Sequence, residues 1–173
     1  MSPSQTMSPP PIRAAQTGAG VVHSIGIAGI RVVRAPDKVR TVVGSCIAVC
    51  VFDRHNQVGG MAHVILPDSS EGSGDPAKFA DTAVDMLVEQ MIEAGADKKR
   101  ICAKIAGGAA MFGDKHTGGL GERNAVNVKA QLAKHSISVL ASATGANQGR
   151  KVLLDPASGD VQVEVIGQAP QVI

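Results

Sequence analysis

Aromatic residues are almost missing from this chain. Its 173 residues include no Trp, no Tyr and only three Phe. The hydrophobic core must therefore consist of aliphatic side chains, chiefly Val, Ile, Leu, Ala and Met. Single-stranded nucleic acid binding usually depends on aromatic stacking, so this scarcity argues against a nucleic acid partner.

Strong charge and long apolar runs are also lacking. The formal net charge is only +2, and Lys and Arg are scattered rather than clustered. Such a distribution offers little attraction for nucleic acid or for an anionic membrane surface. No apolar stretch reaches the roughly 18 residues needed to span a bilayer. We therefore expect a soluble protein that inserts into no membrane.

Cysteine is scarce as well. The three cysteines, Cys46, Cys50 and Cys102, cannot all pair, and the first two lie in an apolar segment typical of a strand. A disulfide framework is therefore not expected, and a reducing cytoplasm is the compartment that fits.

The length and hydrophobic content predict one globular domain. With 44% hydrophobic residues, the chain can build a single substantial core. Residues 1–20 are rich in Pro, Ser, Gly and Ala, and they lack the basic start and apolar run of a secretion signal. We expect a flexible tail over 1–20 and a single domain over 21–173.

Hydrophobic periodicity predicts an α+β fold. Three- and four-residue spacing of apolar side chains indicates helices over 78–94 and 122–135. Strand patterns are more numerous and occur in hairpins, which favours mostly antiparallel or mixed sheet over a doubly wound parallel fold. The predicted strand segments are 23–33, a hairpin over 41–66, 100–112, 138–145 and a hairpin over 150–166 around the turn 156–159.

The hairpin over 41–66 carries a cysteine near its entrance and a histidine near its exit. A symmetric turn at 53–56 would place Cys46 directly opposite His63, with their Cβ atoms roughly 5 Å apart. A thiol and an imidazole at that separation can form a nucleophile and base pair. A bulge at Gly59 and Gly60 would instead turn His63 to the other face, and both residues could equally be ordinary core side chains.

The residues before the cysteine also suggest chemistry. Gly44 and Ser45 allow the backbone to turn sharply, so that amide N–H groups near Ser45 and Cys46 could face a site beside the sulfur. Such donors are what an oxyanion hole requires.

A metal site and a phosphate site are the competing interpretations. Cys46, Cys50, His55 and His63 could be ligands, but two cysteines four residues apart on a strand are separated by roughly 13 Å, too far for one zinc ion. The glycine-rich segment 107–121 contains Lys115 but no contiguous GK[ST], which favours a surface loop. The turn-rich segment 144–150 either lines a cleft or closes one.

Six segments carry a resemblance to a known family. In order and spacing, residues 24–165 resemble the chemoreceptor glutamine deamidase family, CheD. The segments that carry it are TVVGSCIAVCVFD, GGMAHVILPDS, KFADTAVDMLVEQM, AKIAGGAAMF, GERNAVNVKAQL and TGANQGRKVLLDPASGDVQV. The resemblance implies a layered sandwich of sheets with outer helices, similar to toxin-type glutamine deamidases.

The resemblance also implies an activity and its residues. The activity is conversion of glutamine side chains on methyl-accepting chemoreceptors to glutamate, with release of ammonia through a thioester and without metal or organic cofactor. The residues that match the family are Cys46 as nucleophile, His63 as base and Thr41 as the third member. We expect His63 to take the thiol proton, and the imidazolium to lower the pKa of Cys46.

The resemblance implies two partners, the cytoplasmic helices of chemoreceptors and a CheC-type phosphatase whose binding competes with deamidation. The alternative function is a non-catalytic binding module that regulates such a phosphatase. One departure concerns the family pattern TGGNxGR with an aromatic residue at x, where this chain has Ala146 and Gln148. If that loop contacts the target helix, substrate choice differs from the family pattern.

Overall fold

The computed structural model describes residues 18–111 and 119–173. These residues form ten strands and two α-helices. The predicted tail lies outside the described residues except for 18–20, and so do residues 112–118 of the predicted glycine-rich segment 107–121. The elements in chain order are β1 Val22–Ser24, β2 Ile30–Arg34, β3 Lys38–Val43, β4 Ile47–Asp53, β5 Val58–Val64, α1 Ala80–Glu93, β6 Cys102–Gly107, α2 Leu120–Lys134, β7 Val139–Thr144, β8 Arg150–Asp155, β9 Asp160–Val165 and β10 Gln171–Val172.

The strands form two five-stranded sheets. The inner sheet has the order β2-β5-β4-β6-β7, and the outer sheet has the order β1-β3-β8-β9-β10. Within these sheets β1 and β3 are parallel, as are β6 and β7, while the other neighbours are antiparallel. The predicted α+β fold with mixed, mostly antiparallel sheet is confirmed.

The inner sheet is covered on both faces. Every residue of β4 and β5 is buried. A strand buried on both faces reads as a continuous apolar run rather than an alternating one, as the sequence of β4 does. One face packs against α1 and α2, and the other packs against the outer sheet. Strands β4 and β5 therefore lie in the middle of a three-layer structure.

Both predicted helices are present. Helix α1 lies within the predicted range 78–94 and α2 lies close to the predicted 122–135. After α1 the chain turns at Gly95, whose φ of +95° is a conformation that favours glycine, and its N–H donates to the carbonyl of Ile92. The buried stripes of the two helices, including Leu87, Met91 and Leu132, pack on the inner sheet.

The outer sheet shows the alternation expected of a half-buried sheet. In β3, Val39, Thr41 and Val43 face the inner sheet, while Arg40 and Val42 are exposed. The predicted hairpin of β8 and β9 is confirmed, with a turn at 156–159 closed by the N–H of Gly159. Thr41 is thus one of the few polar side chains in the layer between the sheets.

Two predicted segments differ from the structure. The predicted strand over 23–33 is two strands, β1 and β2, which belong to different sheets. In the predicted hairpin over 41–66, residues 41–43 belong to β3 of the outer sheet, and the chain crosses to the inner sheet at 44–46. No helix in the part of the chain that the structure describes is both long and apolar enough to cross a membrane.

Candidate active site

The turn 44–46, where the chain crosses between the sheets, carries Cys46. Each of its three carbonyl groups accepts a hydrogen bond from a residue distant in sequence. The N–H of Ala109 donates to Gly44 at 2.9 Å, Asn124 Nδ2 donates to Ser45 at 3.1 Å, and the N–H of Gly108 donates to Cys46 at 2.9 Å. Because all three peptide groups are held, the position of the turn is fixed.

A glycine makes this close approach possible. Gly107 has a φ of +119°, and a Cβ atom built on it would lie 2.1 Å from the carbonyl oxygen of Cys46. Any other residue at 107 would push the turn away from the end of β6. The end of β6 therefore supports the residue predicted to be the nucleophile.

The predicted register between Cys46 and His63 is wrong by two residues. His63 pairs with Ala48, and Cys46 lies one residue before β4 begins. The reason is the turn, which contains four residues between Asp53 and Val58, including Gln57 at a φ of +55°, rather than the two of a symmetric turn. Since side chains alternate with a period of two, a shift of two residues leaves the predicted face unchanged.

The face that His63 occupies is the layer between the sheets. Opposed residues of an antiparallel pair point to the same side, so His63 lies on the same side as Ala48. Ala48 belongs to the hydrophobic cluster between the sheets, and half-buried Cys46 packs against that cluster. Cys46, His63 and Thr41 therefore share one layer, and no bulge at Gly59 or Gly60 turns His63 away.

Thr41 and His63 are in direct contact. Thr41 Oγ1 lies 2.8 Å from His63 Nδ1 and 2.8 Å from the carbonyl oxygen of Ile25. A hydroxyl has one proton to donate, and the carbonyl of Ile25 can only accept. Thr41 therefore donates to Ile25 and accepts from the Nδ1–H of His63.

This bond sets the tautomer of the imidazole. With the proton on Nδ1, the neutral ring of His63 has an unprotonated Nε2. Nε2 is buried and has no hydrogen-bond partner among the described residues. His63 thus presents a free lone pair in the layer that contains Cys46, although the structure contains no bond between them. In proteins without substrate, catalytic hydrogen bonds are often long or unformed.

Burial shifts both pKa values toward the neutral forms. It raises the pKa of the Cys46 thiol, an effect that the Cys46 backbone N–H partly opposes. It lowers the pKa of the His63 imidazole. Both shifts favour the neutral thiol and the neutral imidazole in the resting protein. This differs from the expected thiolate and imidazolium pair.

The other two cysteines belong to or pack against the same hydrophobic cluster, but neither lies at the turn 44–46. Cys50 is fully buried in β4, which raises the pKa of its thiol to about 12, so it stays protonated. Cys102 is half-buried at the start of β6. Within residues 18–111 and 119–173, no three side chains of His, Cys, Asp or Glu come together as metal ligands would.

A groove of about 880 Å³ lies beside Thr41 and His63. Its walls are β1 with the following residues 25–27, β3, and the β8–β9 hairpin. Thr41 and His63 both belong to its lining, and Cys46 does not. The groove therefore gives access to the Thr41–His63 pair but does not include the Cys46 thiol.

Two polar residues near the turn had no role in the sequence-based predictions. Asn124 is fully buried in α2 and holds the carbonyl of Ser45. Arg150 is buried and donates to the carbonyls of Ala143 and Gly145, which fixes the segment after β7. The N–H of Gly145 in turn donates to the carbonyl of Gly107 at 3.0 Å. Both residues lie in segments that carry the family resemblance, but the sequence of those segments does not indicate which groups the two side chains contact.

Comparisons with known proteins point to one family. The family model described as "CheD chemotactic sensory transduction" matches residues 65–165. A protein of Syntrophomonas wolfei named "Probable chemoreceptor glutamine deamidase CheD" is 41% identical over 158 residues, covering 88% of this chain and 98% of the relative. A protein of Moorella thermoacetica with the same name is 44% identical over 156 residues, covering 86% and 93%.

A comparison of structures gives a weaker likeness. A crystal structure of a Neisseria meningitidis protein, described by the family model DUF152, aligns with a TM-score of 0.43 at 10% identity, covering 72% of this chain and 63% of that one. A score this low supports no conclusion about function.

The family model's match begins two residues after His63, so it does not itself include Thr41, Cys46 or His63.

Proposed function

The chain belongs to the CheD family, and from this we propose that it is a hydrolase that deamidates glutamine side chains of chemoreceptors through Cys46. The relatives named above are called probable chemoreceptor glutamine deamidases, which supports the substrate class. The observation that carries the assignment to particular residues is the hydrogen bond from His63 to Thr41, because it leaves Nε2 of a buried imidazole unpaired in the layer that contains Cys46.

The proposed reaction begins from the neutral pair. The sulfur of Cys46 attacks the carboxamide carbon of a receptor glutamine while His63 Nε2 takes the thiol proton. His63 then gives that proton to the departing nitrogen, which leaves as ammonia, and a thioester to Cys46 remains. Water, deprotonated by His63, attacks the thioester carbon, the carbon–sulfur bond breaks, and His63 returns the proton to the sulfur. The products are glutamate on the receptor and the regenerated thiol.

The environment explains why proton transfer is coupled to attack. Burial disfavours charge on either partner before substrate arrives, since it raises the pKa of Cys46 and lowers that of His63. When the sulfur bonds to carbon, its proton becomes acidic, and in the proposed reaction the free lone pair of Nε2 accepts it. Thr41 stabilises the imidazolium that forms, because it already accepts from Nδ1.

The turn 44–46 supplies the proposed oxyanion donors. Its three carbonyls are bonded to Ala109, Asn124 and Gly108. Holding the carbonyls also fixes the direction of the N–H groups of the same peptide units. We assign the N–H groups around Ser45 and Cys46 to the tetrahedral oxyanion, where each well-placed donor contributes roughly 2.7–4 kcal/mol.

The proposed reaction requires no metal or organic cofactor, because the thiol, the imidazole and water supply the nucleophiles and proton transfers. We also propose that residues 21–173 form the deamidase domain, that residues 1–20 contribute nothing to turnover, and that the protein acts in the cytoplasm. A CheC-type phosphatase remains a proposed partner, and it would reduce deamidation if it covers the opening to Cys46.

The direct experiment is to incubate the purified protein with cytoplasmic fragments of the organism's chemoreceptors. Mass spectrometry should detect conversion of particular glutamines to glutamate, and a coupled assay should detect ammonia in equal amount. The Cys46→Ala variant serves as the control. If the wild type converts no glutamine while still binding the fragments or a CheC-type phosphatase, the chain is a binding module and the proposal fails.

A second experiment tests the resting protonation state. The rate of Cys46 alkylation by iodoacetamide should rise with pH and reach half of its maximum above roughly 8.5, the pKa of an ordinary thiol. Mass spectrometry of the Cys46 peptide gives the rate. Fast alkylation below pH 7 that disappears in His63→Ala would show a resting thiolate and imidazolium pair instead.

A further inference from the structure

We propose that Asn124 is a positioning residue that holds the Cys46 turn against the end of the strand carrying His63. This rests on the proposed function of Cys46 and His63, and it adds a residue to the site that neither the motifs nor the names of the relatives identify. Both hydrogen bonds of Asn124 go to backbone carbonyls and neither goes to the thiol or the imidazole, so its action is through the backbone that carries them.

One carboxamide joins the two segments. Asn124 Nδ2 donates to the carbonyl of Ser45 at 3.1 Å and to the carbonyl of Ile65 at 3.0 Å. Ser45 immediately precedes Cys46, and Ile65 lies two residues after His63. The two protons of a single NH₂ group therefore connect the nucleophile's turn to the segment that follows the base's strand.

The orientation of this carboxamide is determined by its neighbours. Both contacts are carbonyl oxygens, which only accept, so the group facing them must be NH₂ and not the oxygen. The oxygen, Oδ1, is then buried and has no hydrogen-bond partner among the described residues. Asn124 is 0% exposed, and an unpaired acceptor in such a place carries a free-energy cost. Both N–H groups of the Asn124 carboxamide are therefore hydrogen-bonded near the site, while its Oδ1 has no partner among the described residues.

The helix that carries Asn124 is firmly seated. A Cβ atom on Gly121, in the first turn of α2, would lie 2.4 Å from the carbonyl oxygen of Gly108. Gly108 is the residue whose N–H holds the carbonyl of Cys46. The start of α2, the end of β6 and the Cys46 turn therefore pack backbone against backbone, and Asn124 is the only side chain that donates to a carbonyl of that turn within residues 18–111 and 119–173.

The expected effect of removing these donors is on turnover rather than on binding. A displacement of about 1 Å between nucleophile and base can cost on the order of 100-fold in rate. Asn124→Ala should therefore lower kcat by roughly 10- to 100-fold and leave the KM for a receptor fragment within about twofold.

The matched control is Val128→Ala. Val128 is fully buried one turn further along α2 and packs in the core between the helices and the inner sheet. We expect both Val128→Ala and Asn124→Ala to lower the melting temperature, but Val128→Ala should keep kcat within about twofold. Equal losses of kcat in both variants, or an unchanged kcat in Asn124→Ala, would overturn the positioning role.

A second variant and a second measurement keep the test decisive. Asn124→Asp preserves the shape but replaces the NH₂ donors with an oxygen, and a protonated carboxyl regains one donor. The kcat ratio of wild type to this variant should fall as pH is lowered, whereas a constant ratio would contradict the role.

Iodoacetamide labelling of Cys46 needs no turnover. A changed labelling rate in Asn124→Ala, with none in Val128→Ala, therefore supports positioning even if no receptor fragment is deamidated, and unchanged labelling in both overturns it.

Discussion

The two ends of the β4–β5 hairpin both bury a polar side chain, but they satisfy it differently. At the closed end, the carboxylate of Asp53 is 0% exposed and accepts four hydrogen bonds. They come from the N–H of His55, the N–H and Nδ2 of Asn56, and the N–H of Asp97. At the open end, His63 is 3% exposed and uses only Nδ1, while Nε2 has no partner among the described residues.

The difference indicates two roles, because Asp53 stabilises the turn whereas His63 keeps a lone pair available for the proposed reaction. Burial alone would raise the pKa of Asp53, but the donors from Asp97, Asn56 and His55 lower it instead, so the carboxylate stays charged and fixes the turn. His63 has no compensating bond at Nε2, and burial lowers its pKa. A carboxylate with four hydrogen bonds keeps its position and its charge, whereas an unpaired lone pair on an imidazole is available to accept a proton.

The largest expected effect is at the proposed nucleophile. Cys46→Ala should reduce deamidation by on the order of 10⁴-fold or more, because no other group replaces the sulfur. Its fold should remain intact, as judged by circular dichroism. The controls are Cys50→Ala and Cys102→Ala, which should keep most activity because neither thiol belongs to the proposed site. Equal loss in all three variants would indicate a structural role for the thiols.

The open end of the hairpin is tested by His63→Leu. This variant removes the proposed base but fills a similar volume, and it eliminates the unpaired Nε2. We expect kcat/KM to fall by roughly 10²- to 10⁴-fold while the free energy of unfolding changes by only about 1 kcal/mol. Urea denaturation and the ammonia assay measure the two effects. A large loss of stability with retained turnover would mean that His63 stabilises the fold and does not act in the reaction.

The closed end should show the opposite result. Asp53→Ala removes the acceptor for four donors and should lower the free energy of unfolding by roughly 2–4 kcal/mol, with turnover per folded molecule unchanged. Since the pKa of Asp53 is lowered in the folded state, its charge stabilises the protein above a pH of roughly 3.9, and this contribution disappears as pH falls through the lowered value. The stability difference between wild type and Asp53→Asn, measured by urea denaturation, should therefore shrink on acidification.

A smaller effect is expected at Thr41. Thr41→Val keeps the shape but removes the acceptor from Nδ1–H, so the correct tautomer of His63 loses its support. We expect kcat to fall roughly 10- to 100-fold. Thr41→Ser retains the hydroxyl and should keep most of the activity in the same assay. Equal losses in Val and Ser variants would mean that the methyl group matters rather than the hydrogen bond.

The smallest effect concerns the segment after β7, outside the hairpin. Ala146 has a φ of +59°, a left-handed conformation that costs a residue with a Cβ atom roughly 1–2 kcal/mol. Glycine removes this strain but loses more chain entropy on folding, by roughly 0.5–1 kcal/mol. Ala146→Gly should therefore stabilise the protein by between about 0 and 1.5 kcal/mol, as a small rise in the melting temperature. A decrease would show that the methyl group makes a favourable contact.

Local sequence patterns predicted the elements better than their arrangement. Both helices and the β8–β9 hairpin follow from periodicity and turn residues, because each involves neighbours in sequence. The division of 23–33 into β1 and β2, and the crossing at 44–46, do not follow, because apolar alternation is the same in whichever sheet a strand joins. The short strand β10 carries too little pattern to be recognised.

The candidate site shows the same limit. The residue types and their shared face could be predicted from the hairpin, but the register depended on Gln57, whose left-handed conformation no pattern of apolar residues indicates. Asn124 was missed for a different reason. An asparagine in an amphipathic helix is usually exposed, and only its tertiary contacts with Ser45 and Ile65 show otherwise.

The bond between Thr41 and His63 also has a consequence for how activity arises during folding. Thr41 belongs to the outer sheet and His63 to the inner sheet, although only 22 positions separate them in the chain. A partly folded chain with either sheet formed alone lacks the bond that orients the imidazole. The proposed site is therefore complete only in molecules in which the two sheets have docked.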